Sequence, residues 1–188
     1  MKTKFIKKYF PYTGEQLHSH FAYEEYGILG NSIVAWIGPC DIPFEHMVDL
    51  EDVLAHSPIR GALMIHFIVE VFGQSLFSAV SLQRLLASIV RDEIESAAKS
   101  KASLRLRRDG DDVYWDDAKI TISIASISPV STQIHFGVNI NNKDTPVKTA
   151  ALDDFKINVH DFVKKILEKF SKEFESIEIA TQKVKPLK

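Results

Sequence analysis

The chain has 188 residues, 45% of them hydrophobic and 26% charged, with a formal net charge of −2. That length suits one well-cored domain, read as residues 1–188, and leaves two full domains cramped; the composition excludes a disordered chain and a coiled coil. A balance so close to neutral excludes a generally basic surface, so nucleic acid is disfavoured as a partner and would need a local patch.

In chain order, the first ten residues interleave Lys2, Lys4, Lys7 and Lys8 with Phe5, Ile6, Tyr9 and Phe10. This is the pattern of an edge strand whose charges discourage pairing with another chain, and Pro11 ends it. GEQLHSHFAYEEYG places Leu17 and Phe21 at helical spacing and stops at Gly27. NSIVAWIG predicts a strand from about Ser32 to Ile37, with GPCD as the turn after it. Asp49 can cap a short helix carrying Leu50, Val53 and Leu54, followed by Ser57-Pro58. ALMIHFIVEVF fits a buried strand or a buried helix; its β-branched and aromatic content favours strand, on which His66 and Glu70 share a face. A helix begins at Ser75, with Phe77, Val80, Leu85, Ile89 and Ile94 at helical intervals, and fades in ESAAKSKAS.

From Leu104 the period changes to two. LRLRR, a DGDD turn, VYW, a DDA turn, KITISIAS, a PVS turn and TQIHFGVNI read as a four-stranded meander. A last helix, NVHDFVKKILEKFSKEFESIE, sets Val159, Phe162, Ile166, Phe170, Phe174 and Ile177 on one stripe. The mixture predicts an α+β fold, a mostly antiparallel sheet with helices packed on one face.

The last two strands carry the functional question. With Pro129-Val130-Ser131 as the hairpin turn, Ile124 faces Phe136, Ile122 faces Val138, Thr121 faces Asn139 and Ser123 faces Gly137. A slip of one residue would mix apolar and polar sides, so this register, or one two residues away, is expected. It puts Lys119, Thr121, Ser123, His135, Gly137 and Asn139 on one face. That face is either a wet sheet surface or the wall of a ligand site. His135, Gly137 and Asn139 are poor choices for a plain exposed strand, and a strand glycine often marks close approach by a ligand, which favours the site. Lys119 there could hold a phosphate or an acyl carbonyl oxygen as a point charge.

Two resemblances rest on these residues. YGILGNSIVAWIGPCD, EHMVDLEDV, HFIVE and SPVSTQIHFGVNINNKDTPVKT resemble an uncharacterised prokaryotic family, the domain-of-unknown-function family three-sixty-six, over nearly the whole chain. DDVYWDDAKITISIAS with STQIHFGVNI is similar to the lysine-bearing segment of the biotin and lipoate protein ligase and octanoyltransferase superfamily, over about a third of the chain. The second resemblance implies a class II synthetase-like fold and a small-molecule ligand, with ATP as a candidate co-substrate. It implies that Lys119 contacts an acyl carbonyl or acyl-adenylate, with His135 and Asn139 on the returning strand. SPIRGALMIHF resembles a reduced Arg-Gly-Gly…His ligand loop, which implies Arg60, Gly61 and His66 near the ligand. The sequence departs from that pattern in lacking the further loop glycines and the octanoyltransferase cysteine after the His strand, and Phe136 separates His135 from Gly137.

The remaining constellations are weighed against plainer readings. His18, His20, Cys40-Asp41, Glu45-His46 and His66 match no closed zinc spacing, and no metal is expected. The lone Cys40 excludes an internal disulfide, fits a reducing cytoplasm, and reads as a small buried residue more readily than as a nucleophile. KTKFIKKYFPY and LRLRRDG are basic with aromatic neighbours, but an RNA-associated role would need them to meet on one surface. No membrane segment is expected: ALMIHFIVEVF is too short to span a bilayer and MKTKFIKKYF lacks the apolar core of a signal peptide. The expected function is small-molecule binding, carboxylate, acyl or nucleotide, with acyl-transfer or acyl-adenylate chemistry as its catalytic form; a non-catalytic binding module on the same fold, or an RNA-associated protein, is the alternative. Oligomeric state is left open.

Overall fold

The computed structural model describes residues 1–98, 104–143, 145 and 147–187. Its elements are β1 (Lys2–Phe5), α1 (Phe21–Tyr26), β2 (Ser32–Asp41), α2 (Leu50–Ala55), β3 (Arg60–Phe72) and α3 (Leu76–Ala97). They continue with β4 (Arg107–Asp109), β5 (Asp112–Trp115), β6 (Ala118–Lys119), β7 (Thr121–Ile127), β8 (Ser131–Asn139) and α4 (Val159–Gln182). The fold is α+β. A mixed five-stranded sheet runs in the order β1-β2-β3-β8-β7, antiparallel except where β1 lies parallel to β2. A three-stranded sheet, β4-β5-β6, is separate.

The caps follow their chemistry. Asp49 accepts from the Glu51 N–H to open α2, Ser75 accepts from Ser78 N–H to open α3, and Asn158 accepts from Asp161 N–H to open α4. ALMIHFIVEVF is strand, within the long β3. One helix is shorter than its spacing predicts. His20 adopts a left-handed φ of 67° and its N–H donates to Glu70 Oε1 at 2.7 Å, so α1 starts only at Phe21. GPCD is not a turn: β2 runs on through it to Asp41, with a bulge between Gly38 and Cys40. Part of the polar tail after α3, residues 99–103, lies outside the described residues. No helix among the described residues is long and apolar enough to cross a membrane.

The sheet has two unlike faces. On one, Ile33, Ala35, Ile65, Phe67, Phe136 and Val138 pack under α3 and α4, all at or near zero exposure. On the other, Val34, Trp36, Met64 and Ile68 lie beneath the N-terminal segment, with Ile6, Tyr12 and Phe21 above them. Residues 10–12 cross that second face as a strap. Phe10 stacks on Trp36 and its carbonyl accepts from Trp36 Nε1 at 3.1 Å. Tyr12 bridges to Cys40 beside it.

The expected four-stranded meander is split. β5 and β6 form a hairpin across Asp116-Asp117, with Tyr114 opposite Lys119, whereas β7 and β8 join the main sheet. The β7–β8 register also differs by one residue from the expected one. Thr121 faces Val138, Ile122 faces Gly137, Ser123 faces Phe136 and Ile124 faces His135. The cause is the turn. Ser128 and Ser131 pair through backbone hydrogen bonding, and the Ser128 hydroxyl accepts from the N–H groups of Val130 and Ser131. The loop is therefore Pro129-Val130, two residues rather than three, and every β7 side chain exchanges faces.

Candidate functional site

A cavity of about 440 Å³ opens on the second face, beside the edge strand β7. Its floor is β3 and β8, through Met64, His135 and Asn139, with Tyr12 at one side. The segment from Ile42 to Arg60, which contains α2, forms one wall; Asp111, Asp112 and Lys119 form another.

The expected site residues divide into three groups. Lys119, His135, Asn139 and Arg60 line the cavity, and Thr121 and Ser123 reach it at the β7 edge. The last two do not share a face with His135. Their hydroxyls are engaged elsewhere: Thr121 Oγ1 accepts from Val113 N–H at 2.9 Å, and Ser123 Oγ donates to Asp111 Oδ2 at 2.6 Å while accepting from Gln83 of α3. Ile122 and Ile124 occupy the places the polar side chains were expected to hold. The third group lies beneath the lining. Gly137 leaves room for Ile122 and Met64, whose atoms a Cβ would meet at 2.9 and 3.0 Å; that space is filled by side chains, not by a ligand. Gly61 is covered similarly by Met64 Sδ at 2.8 Å, and His66 is fully buried.

Lys119 sits at the end of the β5–β6 hairpin, 31% exposed, with its ammonium 2.8 Å from Asp112 Oδ2. Burial works against its charge, but the hydrogen bond and charge of Asp112 prevail and push its pKa up. Burial dominates the other way for Asp112, whose carboxyl is raised despite Lys119. Tyr114 hydroxyl donates to the same Asp112 oxygen at 3.2 Å. On α2, Asp52 is raised by burial and by Asp49, with Lys119 pulling it down. The cavity thus holds one lysine already paired, with further carboxylates around it.

Arg60 points to the outer rim, where Nε donates to Asp41 Oδ1 at 3.0 Å with both side chains about two-thirds exposed. Such a pair is weak and easily exchanged for a ligand anion. The floor is more rigid. Tyr12 stacks on the His135 ring at 3.5 Å between centroids and 7° between planes. Behind it, His135 Nε2 lies 3.1 Å from His66 Nδ1, and His66 Nε2 lies 3.2 Å from the Gly38 carbonyl oxygen. Burial lowers both imidazoles, His66 to about 4 and His135 well below its ordinary value, so both are neutral at neutral pH. Asn139 Nδ2 donates to the carbonyls of Lys119 and Ala150, tying the floor to the lysine-bearing strand.

Sequence reasoning missed Asp112, Asp52 and Tyr12. Asp112 had a signal: a two-residue Asp116-Asp117 turn pairs Tyr114 with Lys119, and Asp112, two residues before Tyr114, then lies on the lysine's side. Tyr12 had none, because its stack on His135 joins segments far apart in the chain. Cys40 is buried under Tyr12, outside the cavity lining, and burial pushes its thiol up to about 12. It is an inert core residue. Glu70, the buried companion of His66, is satisfied by Ser131 Oγ at 2.6 Å and by the His20 N–H. The two basic segments do not meet: β1 is one edge of the main sheet, whereas the small sheet of β4 packs at the other, against β7 and α3. Arg107 there pairs with Asp109 and covers the Tyr114 ring.

A family model described as a domain of unknown function, DUF366, matches residues 1–185. The chain belongs to that family. It is 33% identical to the uncharacterized protein MJ0805 of Methanocaldococcus jannaschii, over 100% of this chain and 86% of the relative. Among solved structures, a protein of unknown function from Pyrococcus horikoshi is similar with a TM-score of 0.92 and 32% identity, over 100% of this chain and 99% of that one. A mutant of the biotin protein ligase from Aquifex aeolicus, in complex with biotin, is similar with a TM-score of 0.60 and 13% identity, covering 93% of this chain and 70% of that chain. Lipoate-protein ligase A bound with ATP gives 0.57 and 13%, covering 93% and 86%. At such identities the likeness shows the fold: this DUF366 chain is built like the biotin and lipoate protein ligases.

Proposed function

We propose that the cavity binds a carboxylate-bearing or acylated small molecule, with its charged or carbonyl end at Lys119. The carrying observation is a lysine placed at the lip of a concave, half-apolar site with a rigid floor. Support comes from the fold shared with a ligase that binds biotin and with one that binds ATP. In the catalytic form of this reading, an acid oxygen attacks the α-phosphorus of ATP, the bond to the β-phosphate breaks, and pyrophosphate leaves. Lys119 would then neutralise charge growing on the phosphoryl and acyl oxygens, and Arg60 would exchange Asp41 for a ligand anion. No acyl-cysteine step belongs to it, since Cys40 is buried away from the cavity lining.

A second reading is a binding module without turnover. It is favoured by the pairing of both cavity cations with aspartates and by the side-chain filling of Gly61 and Gly137, where a ligand backbone would otherwise approach. Thermal unfolding with lipoate, octanoate, biotin, ATP and short RNA, alongside a pyrophosphate assay, separates the two. A ligand at a hundred times its Kd adds about 2.7 kcal/mol of stability. Acid and ATP stabilising together with pyrophosphate released, both lost in Lys119→Ala, supports the ligase. Stabilisation by acid alone without pyrophosphate supports the module, and a response to RNA alone discards both.

A further inference from the structure

The two buried histidines form a chain whose proton positions are determined by its far end. A carbonyl oxygen can only accept, so the contact of His66 Nε2 with Gly38 requires the proton on Nε2. In a neutral ring His66 Nδ1 is then bare and must accept, and the donor at 3.1 Å is His135 Nε2–H. His135, neutral as well, is left with a bare Nδ1. The Tyr12 ring stacked at 3.5 Å holds the imidazole in its plane, so the ring can only exchange its edges by a flip, which would break the hydrogen bond to His66. Asn139 completes the pattern. Both of its Nδ2 contacts are carbonyl oxygens, which fixes the amide so that Oδ1 is its remaining acceptor.

The geometry assigns to the cavity floor two separate fixed acceptors, His135 Nδ1 and Asn139 Oδ1, four residues and so roughly 13 Å apart along β8, each of which recognises a ligand group bearing an N–H or O–H donor: an amide or hydroxyl. This rests on reading the cavity as a ligand site and deepens it. Asn139 lies at the Lys119 end, so the molecule whose acyl or anionic end meets Lys119 would carry a donor-bearing group at its other end, against His135, not a bare hydrocarbon or a second carboxylate. A carboxylate against His135 Nδ1 finds no proton to share, and both sides stay desolvated without a partner. His66 is a positioning residue in this scheme, because it sets the tautomer of His135 from behind without lining the cavity.

Nitrogen-15 imidazole spectra of the full chain at neutral pH test the tautomer directly. Both His66 and His135 should carry their proton on Nε2; a proton on His135 Nδ1 would overturn the assignment. In His66→Leu the lock is gone, and His135 should become a mixture of tautomers. An unchanged His135 would remove His66 from its positioning role. Benzamide and benzoate then probe the floor with one ring and opposite hydrogen-bonding character. Benzamide should move the His135 side-chain signals and, judged by those signals, bind about ten-fold more tightly than benzoate, which Lys119 can hold at the lip without reaching the floor. Benzoate moving the His135 signals at the same or a lower concentration than benzamide, or no response of those signals to either, would refute the donor preference. The acid reading is separated by comparing 8-hydroxyoctanoate with octanoate. Should neither acid bind while benzamide still perturbs the floor, the Lys119 reading fails and the floor assignment stands.

Discussion

The two faces of the sheet differ in what their burial accomplishes. Under α3 and α4 every inward residue of β2, β3 and β8 except Thr132 is apolar, and the β-bulge, the strap and the histidines are all elsewhere. The opposite face buries Trp36, His66, Glu70, Gln133 and His135 just as completely, but each of these polar groups needs a specific partner. The first face is held by packing that tolerates no change of volume; the second by directional contacts that tolerate no change of protonation. The cavity belongs to the second face. A site needs polar atoms that stay where they are when a ligand leaves, and a satisfied buried network supplies that fixity where a surface strand would not.

The largest expected effect breaks the first face. Phe67→Ala, at zero exposure, should cost about 4 kcal/mol of unfolding free energy in urea and leave the ligand affinity of the folded fraction unchanged. On the second face Gly38→Ala should cost about 3 kcal/mol, because a Cβ there would lie 1.8 Å from the Phe10 backbone oxygen, and a backbone strap cannot turn aside as a side chain can. It should also disturb the His66 chain, since Gly38 carries the carbonyl that fixes it. Acid should come third. The folded pKa of His66 is depressed to about 4 from an ordinary 6.5, so below that ordinary value the unfolded chain takes up protons that the folded chain refuses. Stability is then full above about pH 6.5 and falls as the pH drops towards 4, by about 2 kcal/mol between pH 7.5 and pH 5. His135 adds to the loss with the same sign. Urea midpoints at the two pH values check this, and His66→Leu should flatten the slope; an equal slope would assign the acid sensitivity elsewhere.

Much of this contrast was legible in the residues, and the exceptions are instructive. The helices of residues 76–97 and 159–182 declare themselves because their apolar periods are set locally and tertiary contacts agree, whereas the long strand of residues 60–72 is told from a buried helix only by its β-branched and aromatic content. The placement of His135 and Asn139 beside a concavity shared with Lys119 was also readable, from residue types that a plain exposed strand would not use. The faces of β7 were misread for a physical reason. Ser128 uses its hydroxyl to close a two-residue turn, and one hydroxyl therefore decides whether isoleucines or hydroxyls meet His135. Apolar alternation was a poor guide here, because Thr121 and Ser123 could enter the helix-covered side with Val113 N–H, Asp111 and Gln83 as partners. The ring stack of Tyr12 on His135 depends on where the strap crosses the sheet, which no local pattern encodes.

The smallest effect on stability should be the most informative about function. Lys119→Ala and Asp112→Asn each break one pair whose partners are 31% and 23% exposed, and each should change the unfolding free energy by about 1 kcal/mol or less. Their effects on an anionic ligand should have opposite signs. Without Lys119, carboxylate or nucleotide meets the acidic wall of Asp52 and Asp112 with Arg60 left at the rim, and binding should fall at least about ten-fold. With Asn at position 112, the lysine no longer has to be taken from a competing carboxylate, and affinity should rise several-fold, most at low salt where unscreened charge counts most. Calorimetric titration of both variants with the same acid and with ATP measures the pair. Equal weakening by the two substitutions would mean that the Asp112–Lys119 couple acts only as a strut of the β5–β6 hairpin. The charge that receives the ligand would then have to be Arg60, whose bond to Asp41 at the rim is the other exchangeable contact lining this cavity.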